Sequence, residues 1–120
     1  MPAATEYLDE THAPTREEID RSTGRVLLEF GTSWCGICRA LASRVAALLE
    51  RDPQVRHIKV EDGPGQPLGR SFGVRLWPNL VFLRDGRVVR QLARPTYDQL
   101  DEAFLALLSD QAKDPADRPR

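Results

Sequence analysis

Residues 30–40 read FGTSWCGICRA and contain both cysteines of this 120-residue chain, Cys35 and Cys38. They follow RVLLEF (residues 25–30), a continuous apolar run that is typical of a strand covered on both faces of a parallel sheet. After Cys35 the apolar residues recur at helical spacing, at Ile37, Leu41, Val45 and Leu48. The stretch therefore predicts a strand, a turn and a helix that begins at the cysteines.

The flanking segments carry their own boundary signals. Thr15 and Glu18 form a capping box that predicts a short first helix ending near Gly24. The second helix is expected to end at Asp52, because Pro53 disfavours a helical residue before it. Farther on, the sequence predicts a strand at 55–60, a Gly- and Pro-rich loop at 61–69 and a short helical turn within 69–74.

Residues 79–93 (NLVFLRDGRVVRQLA) hold two apolar runs joined by Asp85 and Gly86, a dipeptide that suits a tight antiparallel hairpin. Thr96 and Gln99 form a second capping box, before a final amphipathic helix. This order of elements predicts an α/β fold, with a central mixed sheet of four to five strands and helices on both faces.

Length and composition indicate one domain, since 120 residues suffice for a single core. We divide the chain into a polar segment (1–14), a domain (15–110) and a polar, disordered tail (111–120). The 17 basic and 18 acidic residues nearly cancel, so the charge favours neither nucleic acid nor an anionic membrane as a partner.

The first ten residues, MPAATEYLDE, lack the charged and apolar regions of a secretory signal. No stretch approaches the roughly 18 consecutive apolar residues that a spanning helix needs. We therefore expect a cytoplasmic location. In a reducing compartment, a close cysteine pair is more typical of catalysis or metal binding than of a structural disulfide.

The spacing of the cysteines places them one turn apart on one helix face, near enough for a disulfide. Cys35 at the helix N-terminus meets unpaired backbone N–H groups and the positive end of the macrodipole, which favour a nucleophilic thiolate. Cys38, one turn inside the helix, is placed to resolve a mixed disulfide. Trp34 can cover one side of the site, and Gly36 leaves the outer sulfur open to a partner.

Two other interpretations of the pair stay open. The thiols could form half of a zinc site completed by His12 and His57, or they could be inert core residues. Closed zinc sites use four ligands at characteristic spacings, and neither histidine lies in such a pattern. A C-x-x-C between a strand and a helix therefore favours redox chemistry, with no metal.

The segments VLLEFGTSWCGIC and SFGVRLWPNLVFLRDGR together resemble the thioredoxin family, over about residues 15 to 110. A W-C-x-x-C followed roughly 40 residues later by a proline before an apolar strand is a specific combination. The resemblance implies a thioredoxin-like fold and a thiol-disulfide oxidoreductase, with Cys35 as the attacking and Cys38 as the resolving thiol. It implies no cofactor beyond the redox-active disulfide of that pair.

The resemblance also assigns residues outside the motif. Glu29 falls where the family has a buried acid that moves protons to and from the resolving cysteine; a strand-edge carboxylate facing water is the alternative. Pro78 resembles the family's cis-proline, whose preceding residue pairs with an extended substrate; a trans proline opening a strand is the alternative. The implied partner-contacting residues are Trp34, Gly36, Ile37, Trp77 and Pro78.

The sequence departs from the family pattern at several positions. Ile37 replaces a proline in the dipeptide between the cysteines, which influences redox poise. Trp77 replaces a smaller aliphatic residue, and its ring is expected either to anchor a partner or to pack in the core. Gly31 lies where an aromatic residue is common. Arg94 replaces a glycine of the partner-contacting surface, which puts docking of the usual thioredoxin reductase in doubt. His57, near a family lysine, is interpreted as a half-exposed strand histidine without a role.

The preferred hypothesis is a monomeric reductase of protein disulfides, supplied with electrons by an external dithiol reductant or reductase. An oxidase or isomerase would use the same fold in the other direction, but needs an oxidising compartment. A third hypothesis is a binding module that docks a partner through Trp34, Trp77 and Pro78, with incidental thiols.

Overall fold

The computed structural model describes residue 4 and residues 6–109. The described residues form four helices and four strands, in the order expected from the sequence. The helices are α1 (Arg16–Asp20), α2 (Gly36–Arg51), α3 (Pro67–Ser71) and α4 (Tyr97–Leu108), and the strands are β1 (Arg25–Gly31), β2 (Val55–Glu61), β3 (Asn79–Arg84) and β4 (Arg87–Ala93).

The strands make one mixed sheet in the order β2-β1-β3-β4. β1 runs parallel to β2 and antiparallel to β3, and β4 completes the hairpin. The mixed α/β fold predicted from the sequence is confirmed. β1 is an inner strand whose side chains enter a packed core on each face of the sheet, which explains its continuous apolar run.

Side chains of the sheet alternate between two cores. Leu27 and Phe82 face α2 and α4, where the ring of Phe82 meets that of Phe104 edge to face, with 5.3 Å between centroids. Phe30 faces the opposite side and packs in a second core with Ile19 of α1. The two cores thus fix β1 from both faces. The close packing of this strand also fixes the position of the start of α2, which follows the C-terminal end of β1.

Most of the predicted boundaries are confirmed. Both capping boxes form, at α1 and at α4. Asp85 and Gly86 adopt φ values of 50° and 80°, as a two-residue hairpin turn with left-handed central residues requires. A Cβ at Gly86 would collide with the backbone of Asp20, so this turn needs a glycine for space as well as for conformation.

Two predicted boundaries are wrong. The first helix ends at Asp20 rather than near Gly24, because both the N–H and the hydroxyl of Ser22 bind the carbonyl of Ile19 and close the last turn. The third helix begins at Pro67, inside the segment predicted as a loop, since proline suits the first helical position.

The chain before α1 adds to the sheet. Leu8 forms a parallel bridge with Val60, in which the Leu8 N–H donates to the Lys59 carbonyl and the Glu61 N–H donates to the Leu8 carbonyl, both at 2.8 Å. The sequence of residues 1–14 predicts only a polar segment, with no strand pairing there. The tail predicted to be disordered lies outside the described residues. Of the helices described, none has the length and apolar character of a membrane span.

Candidate active site

Helix α2 begins at the cysteine pair. Cys35 is its N-cap residue, and the Cys35 sulfur accepts a hydrogen bond from the backbone N–H of Cys38 at 3.2 Å. The pair is reduced, with the Cys35 side half-buried and Cys38 only 2% exposed. The predicted difference between an outer and an inner sulfur is therefore present in the structure.

The five predicted partner-contacting residues are called the outer rim below: Trp34, Gly36, Ile37, Trp77 and Pro78. Trp34, Gly36 and Ile37 flank Cys35 in the chain, and Pro78 is buried. Trp34 is 72% exposed, and its ring meets that of Trp77 edge to face at 5.5 Å. A Cβ at Gly36 would meet open space. The peptide bond between Trp77 and Pro78 is cis, as expected.

Trp77 is not a core residue, and polar contacts hold it in place. It is half-buried, and its indole N–H donates to a carboxylate oxygen of Asp62 at 2.8 Å. Arg94 holds the same loop from the other side, since its Nε donates to the Trp77 carbonyl at 2.8 Å and its backbone N–H donates to the Pro78 carbonyl at 2.9 Å. Both ends of the Trp77 residue are therefore fixed by polar contacts.

Glu29 lies inside the protein, only 1% exposed, so the alternative of a water-facing carboxylate at a strand edge is wrong. Its Oε1 lies 2.8 Å from Nε2 of His57, whose side chain is also buried. The interpretation of His57 as a half-exposed side chain is wrong too, since that side chain is only 3% exposed and contacts Glu29.

The hydrogen bonds of His57 define its tautomer. Nδ1 accepts from the backbone N–H of Ala4 at 2.9 Å, so Nε2 carries the hydrogen and donates it to Glu29. A cavity of about 350 Å³ reaches this pair between β2 and α2, and is lined by Ala42, Val45 and Lys59 among others. The buried carboxylate thus has a neutral donor as its partner and an opening toward the surface.

A second residue that sequence reasoning missed is Tyr7, whose hydroxyl lies beside the sulfur of Cys38. A Cβ placed on Gly31 would lie 2.7 Å from that sulfur and 2.8 Å from the Tyr7 oxygen. Burial raises the pKa of the Cys38 thiol to about 11, while its contact with Tyr7 acts to lower it. The only sequence signal for this arrangement was the glycine at position 31, where the family commonly has an aromatic ring.

The two histidines do not join the cysteines in a metal site. His12 pairs with Asp9 at 2.8 Å on the surface, and His57 pairs with Glu29 in the interior. Within residues 4 and 6–109, no cluster of three or more His, Cys, Asp or Glu residues is arranged to hold a metal ion. The described residues therefore give the zinc interpretation no support.

Comparison with known proteins gives a consistent match. The family model described as Thioredoxin matches residues 7–105. Thioredoxin 2 of Pseudomonas aeruginosa PAO1, solved in its reduced form, is similar at 53% identity with a TM-score of 0.75, and the match covers 86% of this chain and 94% of that one. Both the sequence pattern and the fold are thus shared over most of the chain.

Curated relatives match over shorter stretches. Thioredoxin F1, chloroplastic, of Arabidopsis thaliana is 34% identical over 80 residues, which are 66% of this chain and 45% of that protein. Protein disulfide-isomerase A2 of Pongo abelii is 46% identical over 65 residues, which are 51% of this chain and 12% of that protein. The chain spans about half the length of the F-type thioredoxins that it matches.

Proposed function

Because this chain belongs to the thioredoxin family, whose members are protein-disulfide oxidoreductases, we propose that it reduces disulfide bonds of partner proteins. One observation carries the proposal. The Cys35 sulfur lies at the start of α2, the Cys38 sulfur is buried one turn away, and the backbone N–H of Cys38 donates to the Cys35 sulfur at 3.2 Å. This geometry suits an exposed nucleophile and a protected resolving thiol.

The reaction has two steps. In the first, the Cys35 thiolate attacks one sulfur of the partner's disulfide, a mixed disulfide forms, and the other partner sulfur leaves with the electron pair and gains a proton. In the second, Cys38 loses its proton and attacks the Cys35 sulfur, so the Cys35–Cys38 bond forms and the first partner sulfur leaves as a thiolate. The partner gains two electrons, and the dithiol becomes a disulfide.

Glu29 is proposed to accept the proton of Cys38 in the second step. A thiol with a pKa of about 11 needs a base to react at neutral pH, and Glu29 is a buried carboxylate on the strand that leads to the motif. The hydrogen bond from His57 holds this carboxylate in place, and the cavity beside it gives the proton a route to solvent.

The outer rim is proposed to bind the partner. Trp34 and Ile37 expose apolar surface on either side of Cys35 in the chain, and Leu76, which precedes Trp77, is also an exposed apolar residue. An exposed apolar patch around a reactive sulfur is typical of a surface that contacts other proteins transiently. We further propose that the protein acts as a monomer in the cytoplasm, with an external dithiol or a reductase as electron donor.

The proposal is tested with an insulin reduction assay and two serine variants. Wild-type protein should accelerate reduction of insulin by dithiothreitol, and Cys35→Ser should abolish this. Cys38→Ser should accumulate a mixed disulfide through Cys35 that a reductant releases. Equal, non-covalent capture of partners by Cys35→Ser would indicate a binding module instead.

Similarity to a disulfide isomerase supports an oxidase or isomerase as the second candidate. The reduction potential of the Cys35–Cys38 pair distinguishes the two. A value near roughly −270 mV indicates a reductant, and one nearer about −120 to −180 mV indicates an oxidase or isomerase. Gel filtration with light scattering tests the monomer, and cell fractionation tests the location.

A further inference from the structure

The inner cysteine has a neighbour that the reaction above does not use. Tyr7 comes from the segment before α1, and its hydroxyl shares with the Cys38 sulfur the space beside Gly31. A Cβ at position 31 would lie within 2.8 Å of both atoms, closer than such contacts normally come. The missing side chain of Gly31 is therefore what lets a tyrosine from another segment reach the sulfur.

The position of Tyr7 is fixed by its neighbours in the chain. Leu8 is hydrogen-bonded on both sides to the edge strand β2, and Ala4 donates its N–H to His57. Leu8 also packs against the core on the far face of the sheet. The segment thus crosses the sheet edge with Leu8 on one face and Tyr7 on the other, which aims the hydroxyl at the helix start.

The ring of Tyr7 is held as well. The ammonium of Lys59, a residue only 9% exposed, lies 4.3 Å from the ring centroid. No ion pair joins this ammonium to a carboxylate of the described residues, and the ring face attracts the cation through its quadrupole. A cation above the ring withdraws electron density from the phenol and makes the hydroxyl a stronger donor.

The Tyr7 hydroxyl keeps its proton throughout the physiological range. Burial raises the pKa of Tyr7 above its usual value, and the charge of Glu29 raises it further. The other groups that act on the Cys38 sulfur are Cys35 and the backbone of Thr32. The remaining charged residues around the opening to this sulfur are Glu6, Arg39, Lys59 and Glu61. Tyr7 is therefore a neutral donor beside a sulfur that must become an anion.

We propose that Tyr7 donates a hydrogen bond to the Cys38 sulfur as it becomes a thiolate, and so accelerates the second step of disulfide exchange. This inference rests on the proposed function. Cys38 gives its proton to Glu29, the Tyr7 O–H remains intact, and the thiolate attacks Cys35 while the partner's sulfur leaves. The role is specific to this step, since Tyr7 contacts the inner sulfur and Cys35 makes the first attack.

The test uses Tyr7→Phe, which keeps the ring over Lys59 and removes only the hydroxyl. The matched control is Tyr97→Phe, because Tyr97 is the chain's other tyrosine, lies 52% exposed on α4 and belongs to no part of the site. Reduced protein is mixed with 5,5′-dithiobis(2-nitrobenzoate) in a stopped-flow instrument. Attack by Cys35 releases a first thionitrobenzoate in a bimolecular phase, and attack by Cys38 releases a second in a phase independent of reagent concentration.

We expect Tyr7→Phe to slow the second phase roughly tenfold, as for loss of a hydrogen bond to a charged group, and to leave the first phase unchanged. Its pH profile should shift to higher pH, because removing a donor raises the pKa of the thiol. In a Cys35→Ser background, thiolate absorbance should likewise show a higher pKa for Cys38 in Tyr7→Phe. Tyr97→Phe should match the wild type in every measurement.

Gly31→Ala gives an independent test, since its Cβ would push the hydroxyl and the sulfur apart while keeping the tyrosine. It should slow the same phase, and the double variant with Tyr7→Phe should be slowed by less than the product of the two separate effects. An unchanged second phase in Tyr7→Phe, or equal slowing of both phases, overturns the inference and leaves the proposed function intact. A wild-type protein that releases only one thionitrobenzoate overturns both.

Discussion

The two cysteines stand three residues apart in the chain, yet their surroundings differ in origin and in chemistry. The outer cysteine lies between two exposed apolar residues of its own turn, Trp34 and Ile37, and the Trp34 ring meets the half-buried ring of Trp77. The inner sulfur is buried beside Tyr7, on the sheet face that carries Glu29 and His57, and these come from three separate segments. In the proposed mechanism, partner binding and proton transfer therefore use different parts of the molecule.

Burial of the inner sulfur has two consequences. It shields Cys38 from reagents in solution, and it disfavours the thiolate, which raises the pKa to about 11. The same burial that protects the thiol thus makes a base necessary. Glu29, His57 and Tyr7 are the polar side chains on the side of the inner sulfur.

The sharpest test of this difference is alkylation. With a pKa of about 11, Cys38 holds roughly one thiolate in ten thousand at pH 7. We expect iodoacetamide at pH 7 to modify Cys35 more than a thousandfold faster than Cys38, as read by peptide mass spectrometry. After Cys35 has been blocked, the rate at Cys38 should rise about tenfold per pH unit until the pH approaches its pKa.

Unfolding in urea provides the control, since both thiols should then react at similar rates. Comparable labelling of both cysteines in the folded protein at neutral pH would show that the inner sulfur is neither shielded nor held as a thiol.

The next effect in size concerns the buried acid. Glu29→Gln removes the charge but keeps an oxygen that accepts from His57, so the contact survives without the base. We expect the second thionitrobenzoate phase to slow roughly a hundredfold at pH 7, in the range of general-base catalysis, with the first phase unchanged. The slowing should diminish as the pH rises, because hydroxide then removes the proton.

Glu50→Gln is the matched control, since Glu50 is exposed near the other end of α2. If Glu29→Gln resolves the mixed disulfide as fast as Glu50→Gln does, the proton of Cys38 leaves by another route.

The outer surroundings could be predicted from sequence far better than the inner ones. Local sequence patterns predict the strand β1, the start of α2 at Cys35 and the hairpin at Asp85. The structure confirms these three elements. The burial of Glu29 was implied by the resemblance to the family. His57 and Tyr7 could not be found in this way, because their positions depend on one isolated bridge at Leu8, which has no periodic signature.

A smaller effect is expected on the outer side. Trp34→Ala removes the most exposed aromatic ring of the rim, with its edge contact to Trp77. We expect kcat/KM for insulin to fall about tenfold, as for an interface aromatic, while the stability changes by about 1 kcal/mol or less. Both thionitrobenzoate phases should stay near wild-type rates, because the small reagent does not need the rim.

Leu105→Ala provides the control, since Leu105 is a similarly exposed apolar residue on α4, outside the rim. If both variants lose insulin-reducing activity to the same extent, the effect of Trp34→Ala is a general one on stability or solubility.

The smallest expected effect concerns the loop that Arg94 holds. Arg94 has a left-handed φ of 49°, which glycine adopts without penalty. The Arg94 Nε donates a hydrogen bond to the Trp77 carbonyl. Arg94→Gly therefore relieves backbone strain of about 1 kcal/mol while removing a hydrogen bond of similar value, so stability should hardly change. The freed carbonyl can accept a hydrogen bond from an extended partner, and we expect kcat/KM for insulin to rise about twofold to fivefold.

Arg75→Ala, which removes an exposed arginine just before the same loop, controls for charge and should leave the rate unchanged. A fall in kcat/KM for Arg94→Gly would instead mean that the guanidinium itself binds the partner, which would place a charged contact on a rim that is otherwise apolar.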